Sequence, residues 1–168
     1  MDILLTVLGV VLMGFGLYLC LRPYVPPALA SYGGLWLLQW GGLVDVPTVT
    51  LSFWGVVVVI VVTINSMQSP AMVKATQGLP HIVLTSLAGM LLGMMMGWYA
   101  SMVIGAVVGA VAGGVFFART PSGAALQFPS MRFLQYLCAK GFPTVVSVSL
   151  TGIAIMVAIA AYNMSHLN

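Results

Sequence analysis

The chain has 168 residues, of which 61% are hydrophobic and 4% are charged, and its net charge is +3. Soluble domains carry charged residues at about a quarter of their positions, so this chain lacks the polar groups needed to cover a water-facing surface. The composition excludes a soluble enzyme and a disordered linker, and five cations are too few for a nucleic-acid-binding face. It predicts an all-α integral membrane protein, a single transmembrane domain over residues 1–168 whose main partner is the lipid bilayer.

Six uncharged stretches are candidates for membrane-spanning helices. A hydrocarbon core about 30 Å thick needs roughly 20 apolar residues per helix. The second stretch is the weakest, because it is short and contains two Gly-Gly pairs, and it could re-enter the membrane instead of crossing it. In chain order, the predicted spans are approximately 3–21, 28–44, 48–66, 81–98, 101–118 and 143–163.

The few charged residues predict an orientation. Six crossings place all five cations on one side of the membrane and both acids, Asp2 and Asp45, on the other. A re-entrant second stretch would instead separate Arg22 from the other four cations. Because Lys and Arg accumulate in cytoplasmic loops, we expect six spans with both termini on the non-cytoplasmic side, as in a bacterial inner membrane. The first stretch follows Met-Asp instead of a basic segment, so we expect a helix there and not a signal peptide.

The segment before the last span predicts a short helix over residues 130–140. Ser130 is a favourable helix start, and Gly141 followed by Pro143 predicts an end. We expect this helix to lie in the cytoplasmic interface, with Arg132 and Lys140 directed at lipid headgroups or a partner protein. The alternative, favoured over a docking surface for a partner, is a linker that keeps its apolar side out of water. The residues of that side are Met131, Leu134 and Cys138, with Phe133 and Leu137 beside them.

Small residues recur every four positions in the fourth and fifth predicted spans. Residues four apart lie on one helix face, and small side chains there allow two backbones to approach closely. We therefore predict that these two helices pack tightly, against each other or against neighbouring helices. We expect a hairpin with its turn at Tyr99–Ala100, because one long tilted helix would place Lys74 and Arg119 on opposite sides of the membrane. The helix-packing residues are Gly89, Gly93, Gly97, Ser101, Gly105, Gly109 and Gly113.

The predicted spans contain no Asp, Glu, Lys or Arg. Ion-coupled carriers and intramembrane enzymes usually place ionisable groups there, so we expect a protein that is not an enzyme. Cys20 and Cys138 form no C-x-x-C pair, and no His lies deep in a span. The sequence therefore predicts neither a metal site nor a cofactor.

Two hypotheses for the function remain. The first is a non-catalytic integral subunit of a transport, secretion or energy-transducing complex, packing through its glycine-lined faces against other membrane subunits or further copies of itself. The second is a small channel or facilitator for a neutral or weakly polar solute, built on an inverted repeat of three helices. Pro-Thr-Val opens both the third and the sixth span, although this match could be a coincidence. The candidate polar lining of that path is Gln39, Asn65, Ser147, Ser149 and Thr151.

Overall fold

A computed structural model of the protein describes residues 3–22, 26–68 and 77–166, which form helices and turns with no strand among them. Asp2 and Lys74, on which the predicted orientation partly depends, lie outside these residues. In chain order the α-helices are α1 (Ile3–Leu21), α2 (Pro27–Trp40), α3 (Thr48–Met67), α4 (Leu79–Met94), α5 (Tyr99–Ala118), α6 (Met131–Tyr136) and α7 (Phe142–His166).

Four segments of the described chain are long and apolar enough to cross a membrane: α1, α3, α5 and the continuous run Met131–Asn163. This agrees with an all-α membrane protein, but the predicted six spans are not confirmed. α2 and α4 have 14 and 16 residues. At about 1.5 Å per residue they measure roughly 21 and 24 Å, which is less than the thickness of a bilayer core.

Glycines end both short helices earlier than predicted. Gly41 caps α2, and Gly42 follows with a φ of 72°. After α4 the chain turns at Met95–Trp98, where Gly97 has a φ of 74°. A positive φ strains residues that carry a Cβ atom, so glycine is the residue that fits both turns. The predicted turn at Tyr99–Ala100 is wrong, because these residues form the first turn of α5.

α7 is the central helix of the bundle. It packs against α1, α2, α3, α4 and α5, and every residue from 143 to 150 is buried. α3 lies at the periphery, where it packs against α2 and α7. Each half of the chain thus contributes a hairpin followed by a long helix, but one of these long helices is central and the other is peripheral.

The first hairpin, α1–α2, is antiparallel and closely packed. A Cβ atom added to Gly9, Gly16, Gly34 or Gly41 would come within 3.0 Å of the facing helix. The two residue numbers of each facing pair add up to the same value, as antiparallel helices without a change of register require. The pairs are Thr6 with Gly41, Gly9 with Leu38, Met13 with Gly34, and Gly16 with Ser31.

The short helix before the last span continues into α7 instead of ending. Ser130 caps α6, its hydroxyl accepting a hydrogen bond of 3.2 Å from the backbone N–H of Phe133. A π-helical turn, Leu137–Gly141, then joins α6 directly to α7. Pro143 offers no N–H and its ring crowds the carbonyl one turn earlier. The wider turn accommodates this proline, so the end predicted at Gly141 is wrong.

Candidate functional site

Polar side chains meet where the first turns of α7 cross the first hairpin. The hydroxyls of Ser31 on α2 and Ser147 on α7 share a hydrogen bond, and both residues are completely buried. The thiol of Cys20 on α1 lies beside Ser147 and Thr144. Gly16 leaves the space that Ser31 occupies, since a Cβ atom there would overlap the Ser31 hydroxyl. These four polar residues, which we call the polar cluster, join three helices.

Lys140 lies one turn before the polar cluster and is buried, with 3% of its surface exposed. Its backbone carbonyl accepts a hydrogen bond of 2.8 Å from the Thr144 hydroxyl. The sequence predicted that Lys140 faces the headgroups together with Arg132, but of the two only Arg132 is exposed. The π-turn explains the difference, because its extra residue rotates the chain that follows it relative to a continuous α-helix.

The apolar side predicted for the short helix also differs from the observed one. Phe133 and Tyr136 are buried against the bundle, whereas Met131 and Leu134 are 72% and 53% exposed. The Tyr136 hydroxyl donates to the carbonyl of Gln77 at 2.9 Å, which ties α6 to the start of the second hairpin. α6 therefore binds the bundle through its aromatic residues.

Two other polar residues of α7, Thr151 and Ser149, differ in their hydrogen bonds. Thr151 donates to the Ser147 carbonyl at 2.9 Å, within the helix. Ser149 is completely buried, and its hydroxyl has no hydrogen-bond partner among the described residues. It points away from the polar cluster, because residues two apart on an α-helix lie on nearly opposite faces.

Gln39 is in the last turn of α2, and Asn65 is in the last turn of α3. The Gln39 carbonyl oxygen accepts a hydrogen bond of 2.8 Å from the backbone N–H of Val46, just before α3 begins. The Oδ1 atom of Asn65 is buried without a partner among the described residues. The length of α3 separates these two polar groups.

Six of the seven predicted helix-packing residues lie in the contact between α4 and α5. Gly89 faces Gly105 and Gly93 faces Ser101, with backbone against backbone. Gly109 faces Thr85, and Gly113 faces the turn that contains His81. The Ser101 hydroxyl also donates to the Gly93 carbonyl at 2.8 Å.

Gly97, the seventh, lies outside the contact. A Cβ atom added there would have nothing within 4 Å, because Gly97 is in the turn between the two helices. The glycines of the first hairpin do not follow the four-residue spacing and were not predicted. Their signal is a spacing of seven residues, Gly9 with Gly16 and Gly34 with Gly41, which is two helical turns instead of one.

An apolar groove of about 650 Å³ opens between α3 and α5, with α7 as its floor. α3 and α5 stand apart here, and Phe53 and Ile104, each 61% exposed, form the two outer edges. The groove extends from Val46 and Tyr99 at the start of the two helices to Phe142 at the start of α7. No lining residue carries a charge.

The described residues contain no group of three His, Cys, Asp or Glu side chains that could hold a metal ion. Comparison of the chain with protein-family models, with curated proteins and with solved structures gives no match. The apolar helices indicate a membrane protein.

Proposed function

We propose that this protein is a non-catalytic integral subunit of a larger membrane complex. In this proposal α1 to α5 and α7 all cross a bacterial inner membrane, and both termini are non-cytoplasmic. The hairpin registers support six crossings, because α2 and α4 each pair along their length with a helix that is long enough to span. In this proposal the non-helical residues 41–47 and the turn at 95–98 supply the remaining depth.

The observation that carries the proposal is how little of α3 is buried. Of its most apolar segment 22% is buried within the chain, against 56% for the run that contains α7. Lipid provides no hydrophobic driving force for helices to associate, so close packing and hydrogen bonds must hold them together. A peripheral helix with so little packing is expected to gain contacts from another subunit. The outer face of α3 that we assign to this contact includes Val49, Val56 and Ile60.

The use of the core polar groups supports a structural role over catalysis or conduction. Ser31 and Ser147 join α2 to α7, and Ser86 joins α4 to α5 through a hydrogen bond of 3.0 Å to the Ala106 carbonyl. These groups act as links between helices. A channel would instead need polar groups that face a shared path.

Site-specific photo-crosslinking in membranes tests the proposal. A photoreactive residue is introduced at Val56 on α3, which is 60% exposed, and at Leu84 on α4, which is 67% exposed, as a control of similar accessibility. We expect Val56 to form a crosslink to another polypeptide or to a second copy of this chain, and Leu84 to crosslink to lipid.

Native mass spectrometry after gentle extraction provides the second measurement. A subunit should leave the membrane with partner chains, and the Val56 crosslink should identify one of them. Crosslinking only to lipid at both positions, together with a monomeric mass, would refute the proposal. Solute flux through the purified protein in liposomes would favour the channel instead.

A further inference from the structure

The groove between α3 and α5 runs along much of the length of α7. Along its floor it extends from Phe142 to Val157 on α7, which is about 22 Å at 1.5 Å per residue. It therefore covers most of the depth of a hydrocarbon core about 30 Å thick.

The residues that line the groove favour a hydrocarbon chain over a transmembrane helix as its occupant. Helix–helix contacts in membranes are rich in small residues, and both hairpins of this protein follow that rule. The groove has no glycine in its lining, and Ala100 at its mouth is its one alanine. Its walls are valines and aromatic rings, among them Phe53 and Trp54. Such walls suit a flexible hydrocarbon chain.

Ser149 lies beneath the floor of this groove. Its neighbours on the same face of α7, at positions i−4, i−3 and i+4, are Val145, Val146 and Ile153, and all three line the groove. A helical side chain covers the surface one turn toward the N-terminus, so Ile153 lies over the Ser149 hydroxyl. This hydroxyl has no partner among the described residues, although buried hydroxyls are nearly always hydrogen-bonded. A polar group in the groove would satisfy it.

The depth of Ser149 restricts the kind of polar group. It lies seven residues into α7, about 10 Å from the start of the helix. The charged headgroup of a phospholipid stays at the membrane surface, and the groove offers no charged residue to draw it inward. The occupant must therefore be electrically neutral as well as long and apolar, with an oxygen atom that can accept a hydrogen bond inside the hydrocarbon.

We propose that the groove binds an isoprenoid quinone, whose chain lies between α3 and α5 and whose ring carbonyl accepts a hydrogen bond from Ser149. Binding requires the Ile153 side chain to rotate away from the hydroxyl. This site is independent of whether the protein is a subunit of a complex.

Quinone binding by the purified full-length chain in detergent micelles tests the proposal. The probe is a benzoquinone with a short isoprenoid chain, and the readout is its dissociation constant, with a saturated phospholipid as competitor. Ser149→Ala should weaken binding about 5- to 10-fold, the effect of one hydrogen bond, and Ser149→Thr should restore it. Ser147→Ala, on the opposite face of α7, should lower thermal stability and leave the affinity unchanged.

A second pair of variants tests the groove itself. Val103 lines the groove, whereas Val108 on the same helix faces outward and is 61% exposed. Val103→Phe should weaken quinone binding at least 10-fold, and Val108→Phe should not change it. Unchanged affinity in Ser149→Ala or in Val103→Phe would overturn the proposal. So would displacement of the quinone by equimolar phospholipid, because the groove would then be an ordinary lipid contact.

Discussion

Replacing Gly105 with alanine should separate the two helices of the second hairpin. The added Cβ atom would lie less than 3.0 Å from the backbone carbonyl oxygen of Gly89, and the reciprocal substitution meets the Gly105 carbonyl in the same way. Backbone atoms cannot rotate aside as a side chain can. The helices must therefore move apart by about 1 Å to restore ordinary van der Waals contact.

The free energy of this separation can be estimated from the contact. The two helices meet at four levels, from His81 opposite Gly113 to Gly93 opposite Ser101. With about ten atom pairs per level at roughly 0.15 kcal/mol each, the interface is worth about 6 kcal/mol, and a gap of about 1 Å removes a quarter to a half of it. We expect Gly105→Ala to lower the free energy of unfolding by about 2 kcal/mol, within the usual range for overpacking.

Reversible unfolding in mixed micelles, followed by circular dichroism, measures this change. Gly14→Ala is the control, because Gly14 is an exposed helical glycine with nothing within 4 Å of its added Cβ atom. It should be neutral or stabilising by up to about 1 kcal/mol. The double variant Gly89→Ala/Gly105→Ala should cost less than the two single variants together, because the first separation makes room for the second Cβ atom. If Gly105→Ala is as stable as Gly14→Ala, the close contact does not exist.

Three further predictions concern two other hydrogen bonds and the membrane topology. Ser31→Ala and Ser147→Ala should each lower stability by about 1 kcal/mol because each leaves one buried hydroxyl unpaired, and the double variant should recover part of this loss; additive losses would contradict a shared hydrogen bond. Tyr32→Phe removes the 3.1 Å hydrogen bond from its hydroxyl to the Leu51 carbonyl and should speed proteolysis between α2 and α3, whereas Tyr18→Phe, on an exposed face, should not. In a background with Cys20 and Cys138 replaced by alanine, Asp45→Cys and Ser122→Cys should react with an impermeant maleimide from opposite sides of the membrane, and labelling from the same side would rule out the proposed six crossings.

Composition was enough to predict the class of protein, and periodicity predicted most of the helices. The four-residue repeat of small residues predicted close packing of α4 and α5, because its spacing matches one helical turn, but it left open whether they pack against each other or against neighbouring helices. The first hairpin escaped notice because its small residues recur every second turn, with Met13 and Leu38 filling the places between them. A close contact between two helices depends on the residues of both. The spacing of small residues in one helix therefore does not identify the helix that packs against it.

The π-turn was beyond prediction for a different reason. Gly141 and Pro143 usually mark a helix end, and local rules give no sign that a wider turn will carry the helix through them. The burial of Lys140 follows from this turn, so one missed local feature changed the predicted environment of a charged residue. Ser149 was predicted to share a lining with Ser147, although the two face opposite sides of α7.

The arrangement of α7 explains why polar residues are concentrated on a helix with no charge. α7 contacts every other long helix of the bundle, and lipid offers its hydroxyls no partner. Each hydroxyl must therefore bond to a neighbouring helix, as Ser147 does, to its own backbone, as Thr144 and Thr151 do, or to a ligand. Ser149 bonds neither to a neighbouring helix nor to its own backbone. Of these four hydroxyl groups, it is the one that lies beneath the groove. The hydroxyl that does not hold the bundle together is thus the one in position to bind a ligand.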